Sequence, residues 1–201
     1  MSASMPKRTD VNLSRRRCLT GLAGAAAGAL LLPAVAVANP TPLPGTDAAF
    51  WAAPRRLDLV RAQTGEHFSG IYWQNDWVDR QGYVAVCTLM RDVVARKVAY
   101  IDPRLLDLLC AIQAWVRFHG FGQAPMVIHS GFRTEQTNRH LEGAARRSQH
   151  LLGRAADITL PGLPVGYVGQ LAAHYAAGGV GFYPTQDFIH VDTGSRRFWI
   201  R

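Results

Sequence analysis

Between Asp102 and Gly120 the apolar residues Leu105, Leu108, Leu109, Ile112, Trp115 and Val116 recur at three- and four-residue steps, which predicts one buried helix. Asp102-Pro103 is a fitting start for it, a capping carboxylate followed by proline at the first helical position. Met126-Val127-Ile128-His129 is a short apolar run of strand length, and Thr134 is placed to cap a second helix ending near Gly143. A strand is predicted from Gly153 to Leu160, and a third helix from Val165 to Ala177 closed by Gly178-Gly179. The period then shortens: 180–183, 188–192 and 196–200 read as strands, with turns at Tyr183-Pro184 and Thr193-Gly194-Ser195. Helices first and clustered strands last indicate an α+β domain, a small antiparallel sheet with helices packed on it.

The N-terminal pattern differs. Ser14-Arg15-Arg16-Arg17-Cys18-Leu19-Thr20 carries twin arginines and leads into an apolar run from Leu19 to Val37, closed by the small-x-small site Ala36-Val37-Ala38. This predicts a cleavable twin-arginine export signal over residues 1–38, hence a product that works in the periplasm or at the cell wall and keeps no membrane span. Cys18 precedes the apolar run, whereas a lipidated cysteine would follow it. Residues 39–54, with Pro40, Pro42, Pro44 and Pro54, read as an extended leader, leaving 55–201 as one domain with enough chain for a core. The formal net charge is +8; removing the five basic residues and one acidic residue of the signal leaves 17 basic against 13 acidic, about +4. The arginine pairs at 55–56, 146–147 and 196–197 are scattered and not interleaved with aromatics, which argues against nucleic acid as a partner. Cys87 and Cys110 both sit in apolar surroundings and read as buried thiols, not as a bridge.

Candidate chemistry concentrates in Ser148-Gln149-His150-Leu151-Leu152-Gly153-Arg154-Ala155-Ala156-Asp157 and in Phe188-Ile189-His190-Val191-Asp192. Two imidazoles and one carboxylate, with a fourth position open, suit a catalytic zinc ion. On one helix His150 and Asp157 would lie about 10.5 Å apart along the axis, and on one strand they would face opposite ways. The chain must therefore double back between them, and Gly153 can take the dihedrals of that turn. Such a ligand set leaves zinc with a net charge near +1, enough to bring the pKa of a bound water to about 7. Proton relay needs a further group. Asp192 lies on the face of His190, as acid/base, as a partner of His190, or merely as a cap of the Thr193-Gly194 turn. Asp187 would swing over the site if the strand begins only at Phe188. Arg133, after a strand and opening a helix, can reach a substrate oxygen. Ser148 and Asn138 are candidate substrate contacts that also suit a purely loop-holding role. Among His67, His119, His129, His140 and His174, His129 stands nearest in sequence to the Arg133 turn.

These motifs, with Thr64-Gly65-Glu66, Arg91-Asp92, Ile101-Asp102-Pro103, Ser130-Gly131-Phe132-Arg133-Thr134, Asn138, Gly178-Gly179-Val180-Gly181-Phe182-Tyr183-Pro184, Thr193-Gly194 and Trp199, resemble the zinc peptidases of the D-Ala-D-Ala carboxypeptidase, lysostaphin and hedgehog group, and most closely the murein endopeptidase K family. The resemblance implies that family's fold, one zinc ion held by His150, Asp157 and His190, Arg133 at the oxyanion, and peptidoglycan stem peptides as substrate. Relatives in the carboxypeptidase branch carry a catalytic Glu where this chain has Asp187. Crosslink endopeptidase, D-alanyl-D-alanine carboxypeptidase and a non-catalytic wall-binding module all fit these motifs, and the sequence leaves the oligomeric state open. Asp192-Thr193-Gly194 also resembles half of an aspartic-peptidase site, but there is no second copy to share its proton.

Overall fold

The structure is a computed structural model that describes residues 48–175 and 177–201; the predicted export signal and most of the predicted leader lie outside these residues. In chain order the elements are α1 (Ala48–Ala52), β1 (Arg55–Arg61), β2 (His67–Gln74), β3 (Trp77–Val78), α2 (Arg80–Leu89), α3 (Pro103–Phe118), β4 (Met126–Ser130), α4 (Glu135–His140), a 3-10 turn (Gln149–Leu152), β5 (Ala155–Thr159), α5 (Val165–Tyr175), β6 (Gly179–Tyr183), β7 (Phe188–Asp192) and β8 (Arg197–Ile200). They form one compact unit. All eight strands join a single sheet in the order β3-β2-β1-β4-β5-β7-β6-β8.

The sheet is larger than the sequence suggested and is not purely antiparallel, because β1 runs parallel to β4 and β6 parallel to β8. The sequence reading missed β1, β2 and β3, and in β1 the reason is visible. Its burial alternates as a strand should, but the two ends of the buried row are Arg55 and Arg61, so the hydropathy alternation is broken. Arg55 is admitted to the interior because it chelates Asp107 at 2.9 and 3.0 Å, and Tyr72 donates to the same carboxylate at 2.8 Å. Its guanidinium also lies over the rings of Trp51 and Trp73. This cluster gives α1, inside the stretch read as leader, a docking point on the core.

One face of the sheet is the core. Leu57, Leu59, Met126, Ile128, Ala156, Ile158, Val180, Ile189 and Val191 are all buried there, under α3 and α5. α3 forms where expected: Asp102 accepts from the Arg104 amide at 3.0 Å, Pro103 follows, and Leu105, Leu108, Leu109, Ile112 and Val116 are buried. α4 stops at His140, short of Gly143. Cys87 and Cys110 are free, buried thiols, as read, and burial pushes Cys110 up to about 11. Because strand side chains alternate, the opposite face carries Asp157, His190 and Asp192. Ala155 pairs with Asp192 and Asp157 with His190 across β5 and β7.

Candidate metal centre

The turn between His150 and Asp157 forms as the spacing requires. Ser148 caps a single 3-10 turn by accepting from the His150 amide at 3.3 Å, and Gly153 ends it with φ of 64°. No other residue fits Gly153: a Cβ there would lie 2.1 Å from the Tyr100 carbonyl oxygen. The 3-10 turn hangs His150 over β5, where Asp157 and His190 are direct cross-strand neighbours.

Two hydrogen bonds decide what this cluster can bind. The Nδ1 of His150 lies 2.6 Å from the carbonyl oxygen of Gly131, which can only accept, so Nδ1 carries the proton and Nε2 a lone pair. On His190 the Nε2 is 2.8 Å from Asp192 Oδ2, which leaves the lone pair on Nδ1. His150 Nε2, His190 Nδ1 and Asp157 Oδ1 then face one another at 3.1, 3.2 and 3.0 Å. Three lone pairs pointing at one place repel unless a cation sits between them. Tetrahedral ligands about 2.0–2.1 Å from zinc are about 3.3 Å apart, so the donor set fits that ion in type and in spacing. All three residues are buried. Burial pushes His150 down against the pull of Asp157.

The remaining anticipated residues take distinct places. Arg133 is anchored by its amide to the His150 carbonyl at 3.1 Å; its Nε donates to Ser130 Oγ at 2.7 Å and its Nη2 pairs with Asp157 Oδ2. It thus fixes the oxygen of Asp157 that faces away from the imidazoles, and still lines the cleft beside them. Asp192 is fully buried: Oδ2 takes His190 and Arg197, and Oδ1 takes the amides of Gly179 and Gly194 at 3.0 and 2.8 Å. Burial would raise its carboxyl, but these bonds lower it. β7 begins at Phe188, as the Asp187 reading required, and Asp187 sits just before it in an exposed turn with φ of 54°, its carbonyl held by Thr159. Its side chain is not part of the cleft wall. Ser148 lines the cleft, whereas Asn138 lies outside its lining: it is buried, and its Nδ2 donates to the Ala145 carbonyl at 3.0 Å, the bond that a loop-holding role calls for.

His129 is near, as expected, bonded to Thr159 and set against Phe188. His67 pairs instead with Asp58, and His119 stacks on Trp115.

The cleft has a volume of about 440 Å³. Its floor is His150, Asp157 and His190, one wall is Arg133 with the loop Leu141–Ala145, and the other is Tyr183 and Trp199. Sequence reasoning missed this second wall and Glu142, the one carboxylate besides Asp157 among the lining residues. The signal for the wall was alternation: Gly179, Gly181 and Tyr183 face the site side of β6, but Tyr183 read as the start of a turn. Gly181 is what lets the wall close in, since a Cβ there would lie 2.3 Å from the ring of Trp199.

Comparison with known proteins agrees with this geometry. The family model described as "Peptidoglycan L,D-endopeptidase MepK" matches residues 50–199. The peptidoglycan L,D-endopeptidase MepK of Escherichia coli strain K12 is 32% identical over 191 residues, 92% of this chain and 97% of that protein. The probable peptidoglycan L,D-endopeptidase MepK of Haemophilus influenzae is 35% identical over 150 residues, 73% of this chain and 79% of that one. The zinc D-Ala-D-Ala carboxypeptidase of Streptomyces albus G is 36% identical over 89 residues, 40% of this chain and 32% of the other.

Proposed function

Because this chain belongs to the peptidoglycan L,D-endopeptidase MepK family of peptidases, we propose that it hydrolyses the peptide crosslinks of peptidoglycan at one zinc ion held by His150 Nε2, Asp157 Oδ1 and His190 Nδ1. The observation that carries this reading is the convergence of three lone pairs at the floor of an open cleft. When bound, zinc supplies Lewis acidity and a hydroxide nucleophile near neutral pH. The chain's own residues do the rest. Gly131 and Asp192 fix the tautomers and ring orientations of the two histidines, a role that ligand geometry commonly demands. Arg133 orients the Asp157 carboxylate and turns its remaining N–H groups to the substrate oxygen that becomes negative.

Proton transfer falls to Asp187. Both oxygens of Asp192 are already committed to four donors, whereas the Asp187 carboxylate has no partner among the described residues and, though outside the cleft lining, sits in the exposed turn just before the strand that carries His190. Ser148 shapes the turn that delivers His150 and shares the substrate side of the cleft. The relatives' names support L,D linkages as the bonds cut, the motifs are those of the hedgehog and D-Ala-D-Ala peptidase group, and residues 1–38 direct export by the twin-arginine route to the periplasm and wall. Among the described residues no helix is long and apolar enough to cross a membrane.

Digestion of purified crosslinked muropeptides of defined linkage, with the products weighed, tests this. Splitting of L,D crosslinks into two fragments whose masses sum to the parent plus one water is expected. Release of terminal D-alanine alone would reassign the chain to the carboxypeptidase branch, and retention on the wall without new amino termini would make it a binding module.

A further inference from the structure

Tyr183 and Trp199 belong to no part of the mechanism so far. Tyr183 on β6 pairs with Phe188 and stacks on its ring at 4.5 Å, which fixes the phenol plane. The indole Nε1 of Trp199 donates to the phenol oxygen at 3.0 Å. An indole N–H cannot accept, so the phenol's own hydrogen must point elsewhere. It has no acceptor among the described residues, and Tyr183 lines the cleft. Register then places the hydroxyl. Trp199 pairs with Gly181, Gly181 pairs with His190, and the Trp199 ring centre is 5.2 Å from that of His190. A phenol oxygen held at the Trp199 nitrogen has therefore reached back along β6 toward the row of His190. Arg133 approaches the same floor from the β4 side, across β5 and β7.

Resting on the peptidase reading, we propose that Tyr183 is a catalytic hydrogen-bond donor, its hydroxyl aimed by Trp199 at the tetrahedral centre formed from the scissile peptide, on the flank opposite Arg133. A planar amide offers little to a donor on that flank. Once the carbonyl carbon is tetrahedral, oxygen carries charge and nitrogen regains a lone pair, so the bond is strongest where it speeds the reaction. Trp199 is then a positioning residue.

Tyr183→Phe keeps the ring and its stacking and removes only the O–H. On a crosslinked muropeptide that the wild type cleaves, kcat is expected to fall about 10- to 100-fold, the worth of one hydrogen bond to a charge-developing group, with KM and zinc content unchanged. Binding of a phosphinate peptide analogue, which mimics the tetrahedral centre, should weaken by the same factor while binding of the product peptide does not. Trp199→Phe should lower kcat less, and the double variant should be no worse than Tyr183→Phe, because the two groups act as one unit. A Tyr183→Phe enzyme within threefold of wild-type kcat, or one that loses product and phosphinate binding equally, overturns the proposal and leaves an aromatic platform. A wild type that cleaves no muropeptide would instead overturn the peptidase reading beneath it.

Discussion

Asp187 and Asp192 flank His190 in sequence, yet their carboxylates live in opposite surroundings, and that difference is measurable. Asp192 sits behind His190 with four donors, so Asp192→Asn is expected to weaken zinc binding about 10- to 100-fold and to recover most of its turnover at saturating zinc. Asp187→Asn should leave zinc binding intact, lower kcat about 100- to 10,000-fold and remove one limb of the pH profile. Stopped-time assays across pH, with zinc measured in each sample, separate the two; if Asp187→Asn stays within a few-fold of wild type while Glu142→Gln is inactive, the proton carrier is Glu142. Gly153→Ala combines a left-handed residue with a Cβ 2.1 Å from a carbonyl oxygen, and should cost about 2–4 kcal/mol in denaturant unfolding. At this scale the turn at Gly153 was legible because spacing alone forced the chain to double back between His150 and Asp157. The partners were not: that Asn138 faces Ala145 and Asp192 faces Gly179 depends on which loops return beside them, and no local pattern encodes that.

At the scale of elements, the placement of Arg133 rests on a helix start held by a distant carboxylate. Thr134 caps α4, and its amide and hydroxyl both donate to Asp92 Oδ2, at 2.8 and 2.9 Å. Asp92 is buried, which would raise its carboxyl, but hydrogen bonds from Ala95, Thr137 and Thr134 bring it down to about 2. A depressed carboxyl stabilises the fold above its unfolded pKa of about 3.9 and loses that contribution as pH falls through about 2. The steepest acid loss of stability should therefore fall between about pH 4 and 2, and Asp92→Ala should flatten it while costing about 1–3 kcal/mol at neutral pH. Equilibrium unfolding at stepped pH reads both. A variant with wild-type acid sensitivity would remove Asp92 from this role. The α3 helix was legible because cap, proline and apolar stripe agree on one answer. β1 was not, because buried Arg55 and Arg61 break its alternation, and only the return of Asp107 from α3 makes Arg55 tolerable there.

For the molecule as a whole, the division of the sheet into an apolar face under α3 and α5 and a polar face carrying the cleft means that metal loading and folding are coupled through β5 and β7. On the proposed assignment the three donors converge only in the folded chain, so free zinc at 100 times its dissociation constant should add about 2.7 kcal/mol of stability and raise Tm by about 5–10 °C. Scanning calorimetry with and without zinc should show that rise in the wild type and not in His150→Ala. The same imidazoles must be neutral to bind, so zinc affinity should fall as pH drops and protons compete with the ion for them. One titration goes to the centre of the claim that these three side chains make a peptidase. Metal-free protein is mixed with increasing zinc, and the rate of cleavage of one L,D-crosslinked muropeptide is followed by mass spectrometry. The rate should start near zero, climb linearly and break at one equivalent, and His190→Ala should stay flat throughout. Equal cleavage in the presence of a chelator, or a fully zinc-loaded wild type that leaves every crosslink intact, would contradict the account.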